Sequence, residues 1–182
     1  MKFRWMHRWS DVILFSGMLG AISPCADAQT ANFPHLEGEA LSGRKIMLPD
    51  DARGKIALVA IGFSKKSGDV THAWGKRFRK DFGADPKYTV YPLAELEGAP
   101  HFVRGMILGS RRRGTPAAEQ DHFITLFQGE ADLKQFVGFS GTDDAYLFLL
   151  DAQGKVQWHG HGVFREEDYG PLRDAAKKLG AP

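Results

Sequence analysis

The sequence predicts an α/β layer fold, a buried sheet with helices packed against it, on three observations. An apolar run without polar alternation, Ile56 to Phe63, reads as a strand buried on both faces. Just beyond it, Val70, Ala73, Trp74, Phe78 and Phe82 recur at helical spacing while Lys76, Arg77, Arg79 and Lys80 fill much of the remaining surface, the pattern of an amphipathic helix on a sheet. From Asn32 onward, strand-like and helix-like segments alternate along the chain.

The 182 residues, 43% of them hydrophobic, suffice for one domain with a proper core and are too few for two. No internal repeat or low-complexity stretch interrupts them. Residues 1–28 have the parts of an export signal: a basic start (Lys2, Arg4, Arg8), an apolar run from Val12 to Ile22, and the small residues "ADA" before Gln29. Cleavage after Ala28 would leave residues 29–182 as the mature domain, in the periplasm or cell envelope. The alternative is an uncleaved segment that anchors the chain, against which the apolar run is about half the ~20 residues a spanning helix requires. Cys25 is the only cysteine and lies inside this segment, so the mature chain is expected to carry no thiol and to be redox-inactive. A lipid on Cys25 is disfavoured by Pro24 directly before it. Removal of residues 1–28 takes three basic and two acidic groups from a chain of formal charge +2, leaving a near-neutral protein, which is not the balance of a nucleic-acid binder.

The elements follow in order. A short strand is expected around Lys45 to Leu48, then a turn rich in Asp and Gly, then the buried strand and the helix that ends near Phe82. Lys87 to Leu96 reads as the next strand, with Pro92 expected to end its regular pairing because proline offers no donor. "APHFVRGMILGSRRRGTP" places Phe102, Val103, Met106 and Ile107 on one stripe of a second helix, with Gly105, Gly109 and Gly114 expected to bend it or stop it early. His122 to Phe127 is a further strand, and "EADLKQFV" a short helix facing the core with Leu133, Phe136 and Val137. "AYLFLLDAQGKVQWHGHG" gives two strands joined at Asp151 to Lys155, where Asp151 can bond back to the turn and Gly154 can take a positive φ. The last helix has Glu166, Glu167 and Asp168 near its start, Pro171 in its first turn, and Lys177 and Lys178 near its end.

This order, entered through "LSGRKIMLPDDARGKIALV" as an opening hairpin, resembles the exported thioredoxin-like proteins, in which a phrase of the form G-x-x-x-x-L-x-x-x-x-G-K-x-x-L-V feeds the central strand. The resemblance covers nearly all of the mature chain. It implies a central mixed sheet with helices on both faces and a C-terminal hairpin plus helix. Within that group, "AIGFSKKSGDVTHAW", "YPLAELEGAPHFVRGMILGSRRRG" and "YLFLLDAQGKVQWHGHG" resemble the mitochondrial ATP synthase assembly factors and their bacterial relatives. That likeness implies a chaperone-like or docking role, with a protein partner in a membrane complex, no cofactor, and peripheral contact with the membrane. Aligning the redox loop of the fold puts Ser67, Gly68, Asp69 and Val70 where Cys-x-x-C would stand, and Ala145 where a cis-proline would stand. A cis bond before alanine costs roughly 2.5–4 kcal/mol, so a trans segment is expected there.

Three groups of residues are candidate sites. Ser64, Lys65, Lys66, Ser67, Gly68, Asp69 and Val70 lie where a strand end meets a helix start, the usual ligand position in open α/β sheets. The plainer reading is a solvated turn capped by Ser67. Arg104, Arg111, Arg112 and Arg113 could meet a protein partner or acidic lipid headgroups, or form only a solvated face. His159 and His161 alternate with glycine and share one face of the final strand, two potential ligands for copper or zinc where a complete site needs three or four. His35, His72, His101 and His122 are scattered singly. Trp74 and Trp158 read as layer packing. No G-x-G-x-x-G, P-loop, G-x-S-x-G or H-E-x-x-H pattern occurs, so no enzyme is expected.

Overall fold

A computed structural model describes residues 32–181; the expected export segment, with Cys25, lies outside the described residues. A seven-stranded mixed sheet runs in the order β2-β1-β5-β4-β3-β6-β7. Its strands are β1 (Leu36–Ala40), β2 (Lys45–Leu48), β3 (Ile56–Gly62), β4 (Tyr88–Glu95), β5 (Ile124–Leu126), β6 (Ala145–Leu150) and β7 (Val156–Gly162). Four α-helices accompany it: α1 (Lys65–Phe82), α2 (His101–Gly114), α3 (Glu130–Val137) and α4 (Gly170–Gly180). The central strands β3, β4 and β5 are parallel, and β6 and β7 continue the sheet antiparallel.

Every residue of β3 is buried, as its unbroken apolar run predicts. The pleat sends Ile56, Leu58 and Ala60 to one face, where they meet Trp74, Phe78 and Phe82 of α1 and Leu172 and Ala176 of α4. Ala57, Val59 and Ile61 enter the opposite core with Leu133 of α3, Phe33 and the β1–β2 residues Ala40, Ile46 and Leu48. Each fully buried large aliphatic or aromatic side chain contributes roughly 1.5–3 kcal/mol. At the β6–β7 turn, Gly154 takes φ 81° and Asp151 Oδ1 accepts from the N–H of Gln153 and Lys155, both at 2.9 Å.

The structure corrects several expectations. The opening hairpin joins β2 to β1 and not to β3. β1, "LEGEA", escapes sequence reading because glycine and glutamate are poor strand formers. Pro92 does not end β4, which pairs with β3 from Tyr88 to Ala94. The N–H of Leu96 points at Leu126 O of β5, so by alternation position 92 also faces β5. The β5 ladder begins only at Leu93, hence the donor that proline lacks has no partner to miss. Helix α2 runs through Gly105 and Gly109 to Gly114 without a break, and none of its residues is buried. The fourth strand-like run shortens to three residues in β5. Glu166, Glu167 and Asp168 form a separate 3-10 turn, Glu166–Tyr169, before α4. No helix among the described residues is long and apolar enough to cross a membrane.

Candidate functional site

Helix α1 starts at the C-terminal end of the central strand, and its first turn is built by two serines. Ser64 is the N-cap: its Oγ accepts from the Ser67 N–H at 3.0 Å. Ser67, fully buried, reaches back, and its Oγ accepts from the N–H of Ser64 at 2.8 Å and of Phe63 at 2.9 Å while donating to Ser64 O at 3.1 Å. The expected capping by Ser67 is therefore corrected: Ser64 caps, and Ser67 closes the reciprocal half of the box. The two hydroxyl oxygens are 3.3 Å apart.

This placement also shifts the alignment of the missing dithiol. A Cys-x-x-C pair draws thiolate stabilisation from the free N–H groups of a helix start. Those groups stand at Ser64-Lys65-Lys66-Ser67, three residues before the expected Ser67-Gly68-Asp69-Val70. Serine at both ends reproduces the i, i+3 spacing with oxygen in place of sulfur. No histidine or carboxylate bonds to either hydroxyl among the described residues, and Ser67 Oγ is already committed to three backbone groups. The Asp144–Ala145 bond is trans, the sole cis bond among the described residues being Leu48–Pro49.

Two candidate groups that lie far apart in sequence meet at this turn. Arg111, from the last turn of α2, lies over Gly68, where a Cβ would run into its guanidinium. The same guanidinium stands 4.0 Å from Asp69 and 5.9 Å from the Phe123 ring centroid. On the other flank Lys66 bonds Asp143 at 2.8 Å, and that carboxylate raises the lysine's pKa. Phe63, directly after β3, packs edge-on against Phe139 and Tyr146 beneath the turn. The result is a surface with Lys65, Lys66 and Arg111 around a closed, hydroxyl-lined helix start.

The other arginines divide. Arg104 Nε donates to Ala99 O at 2.8 Å and its Nη2 to Glu97 O at 2.7 Å, so it pins the loop before α2 and does not project to a partner. Arg112 donates one bond to Leu41 O at 2.6 Å and otherwise stays exposed, and Arg113 is exposed. His159 and His161 do share a face, but each stacks on a cross-strand aromatic, Phe148 at 6.2 Å and Tyr146 at 5.7 Å. His161 also faces Asp144 at 3.4 Å, and no third ligand joins the two histidines; among the described residues the one group of three close ligand atoms is Glu95, Glu97 and Glu130. A shallow cleft of about 410 Å³ lies beyond Asp144, lined by Trp74, Trp158, His161 and Arg165 among others.

The family model described as ATP10 protein matches residues 22–179. The chain belongs to the ATP10 protein family. It is thus a thioredoxin-like relative of the ATP synthase assembly factors that lacks the Cys-x-x-C pair. Similar solved structures carry the same fold. A protein assigned as the thiol:disulfide interchange protein DsbE of Chlorobium tepidum aligns at 17% identity and TM-score 0.58, covering 84% of this chain and 97% of that one. A SCO1/SenC family lipoprotein from Bacillus anthracis aligns at 13% identity and TM-score 0.56, over 84% and 97%. BsSco, a member of the Sco family of cytochrome c oxidase assembly proteins, aligns at 10% and 0.53, over 82% and 95%. No curated protein matches the chain. At these identities the structural likenesses speak for the fold alone.

What the sequence reading of this ATP10-family chain missed is the serine pair as a unit. The signal was present: Ser64 immediately precedes the helical run and Ser67 follows at the capping-box spacing. The contact of Arg111 with Gly68 left no such mark, since 42 intervening residues separate groups that only the sheet topology brings together.

Proposed function

We propose that this chain is an exported, redox-inactive assembly factor that binds a protein partner near the membrane during assembly of ATP synthase. Family membership supports the assembly role. The single observation that carries the redox-inactive part is the first turn of α1, where Ser64 and Ser67 take the spacing of a dithiol. A serine hydroxyl loses its proton far less readily than a thiol and cannot exchange with a disulfide. What remains at this end of the sheet is a docking face: a rigid capped helix start with Lys65, Lys66 and Arg111 around it, suited to a partner of complementary acidic character.

The test is site-specific capture. A photoreactive residue in place of the exposed Lys65 should crosslink a subunit of ATP synthase in cells. The same residue in place of Glu39, exposed on β1, serves as the control. Equal capture at both positions, or capture of proteins unrelated to ATP synthase, counts against the reading.

A further inference from the structure

We infer that the outer face of α2 rests on an anionic bilayer surface, Phe102 and Met106 entering the headgroup boundary while Arg112 and Arg113 meet lipid phosphates. This deepens the near-membrane part of the reading above and names the residues and the lipid chemistry.

Helix α2 differs from its three companions in that it buries no residue, while α1, α3 and α4 each bury at least one. Its inner side, with Val103, Ile107 and Arg111, is half-buried against the domain. Its outer side carries two large apolar side chains one turn apart, Phe102 at 82% exposure and Met106 at 67%; the other exposed large hydrophobics among the described residues, Met47 and Val163, stand singly elsewhere. Nothing in the domain approaches the outward position of Gly105 between them. Arg113 falls on the same stripe as Phe102 and Met106, two turns further on, with Arg112 beside it.

The charge is one-sided. From Gly98 to Ala118 there are four arginines and no Asp or Glu. Arg104 and Arg111 are turned inward to backbone carbonyls and to the α1 turn. Arg112 gives its Nε to Leu41 O and keeps the rest of its exposed guanidinium for an outside anion, and Arg113 is exposed without that tie. An amphipathic helix lying in the membrane plane combines these features: apolar side chains below, with flexible basic side chains reaching the phosphates. Attraction between basic groups and anionic lipid adds to apolar burial and is screened by salt.

The test uses the full chain with Cys25→Ser and Met106→Cys, labelled at position 106 with an environment-sensitive fluorophore. Vesicles of equal parts phosphatidylcholine and phosphatidylglycerol should shift its emission to the blue and raise its intensity. Phosphatidylcholine alone should not, and added salt should weaken the change. Adding Arg112→Glu and Arg113→Glu, in a chain with an unaltered thermal melt, should abolish the shift. That comparison separates α2 from any affinity of residues 1–28. A shift that survives the charge reversal, that is equal on neutral vesicles, or that appears only with a protein partner overturns the assignment. Such an outcome leaves the assembly role intact, since that role is judged by capture at position 65 and by the assembled complex.

Discussion

Ser64 Oγ and Ser67 Oγ stand 3.3 Å apart across the first turn of α1, at the i, i+3 sequence spacing of a Cys-x-x-C pair. Because Ser64 caps and Ser67 closes the box, the turn is held by these same two hydroxyls. The i, i+3 arrangement is present there with oxygen in place of sulfur.

Sulfur should therefore be restorable. In a Cys25→Ser background, the Ser64→Cys, Ser67→Cys variant is expected to form a disulfide under mild oxidation, since the two positions are already juxtaposed. Thiol titration before and after reduction reads this out. The wild-type chain is expected to show no insulin-reduction activity, and turnover by the wild type would contradict the redox-inactive reading.

Ser67→Ala should destabilise the fold by about 1–3 kcal/mol, because the N–H groups of Phe63 and Ser64 lose their buried acceptor. Ser64→Ala removes only the cap and should cost about 1 kcal/mol. Denaturant titration ranks the two, and a larger loss at Ser64 would argue against the inner role of Ser67.

Gly38 is where β1 passes close to β5. A Cβ there would run into Ile124 and sit 3.0 Å from Thr125 O. Gly38→Ala should cost about 1–3 kcal/mol by overpacking. A thermal melt that shows no loss would mean that β1 is not seated on β5 as described.

These cases show what the sequence could and could not disclose. β3 was legible because every one of its residues is apolar and buried, and the β6–β7 turn because Asp151 and Gly154 perform local tasks. β1 was not, since "LEGEA" earns its place through Gly38 fitting against Ile124, a contact across 86 positions. The stripe of Phe102, Val103, Met106 and Ile107 was read as one face of a second helix, yet Phe102 and Met106 point outward. Periodicity marks a helix with an apolar stripe and is silent on what that stripe meets. The arginines were found as a group, but their division into Arg104 and Arg111, held inward, Arg112, tied by one bond to Leu41 O yet exposed, and Arg113, exposed, depends on tertiary placement.

Glu95, buried at the end of β4, gives a pH prediction. Burial pushes its carboxyl above the ordinary range, the Glu97 N–H donating to it partly offsets this, and the neighbouring Glu130 and Glu97 add to the rise. The folded chain thus holds a proton that the unfolded chain gives up, and stability falls as pH rises from the ordinary carboxylate value through the raised one. Glu95→Gln keeps the accepting oxygen and removes that loss. It should be more stable than wild type near neutral pH, with the advantage vanishing at about pH 4 and below. Melting both proteins across that range checks it; an advantage that grows toward acid would reverse the assigned direction.

The most direct test of the account is the amount of assembled ATP synthase in membranes of cells that lack this chain, measured on native gels alongside the level of the unassembled subunits. Loss of the assembled complex with subunits still made, restored by the wild-type chain carrying no thiol beyond Cys25, is the predicted result. Undiminished assembly without the chain would contradict it.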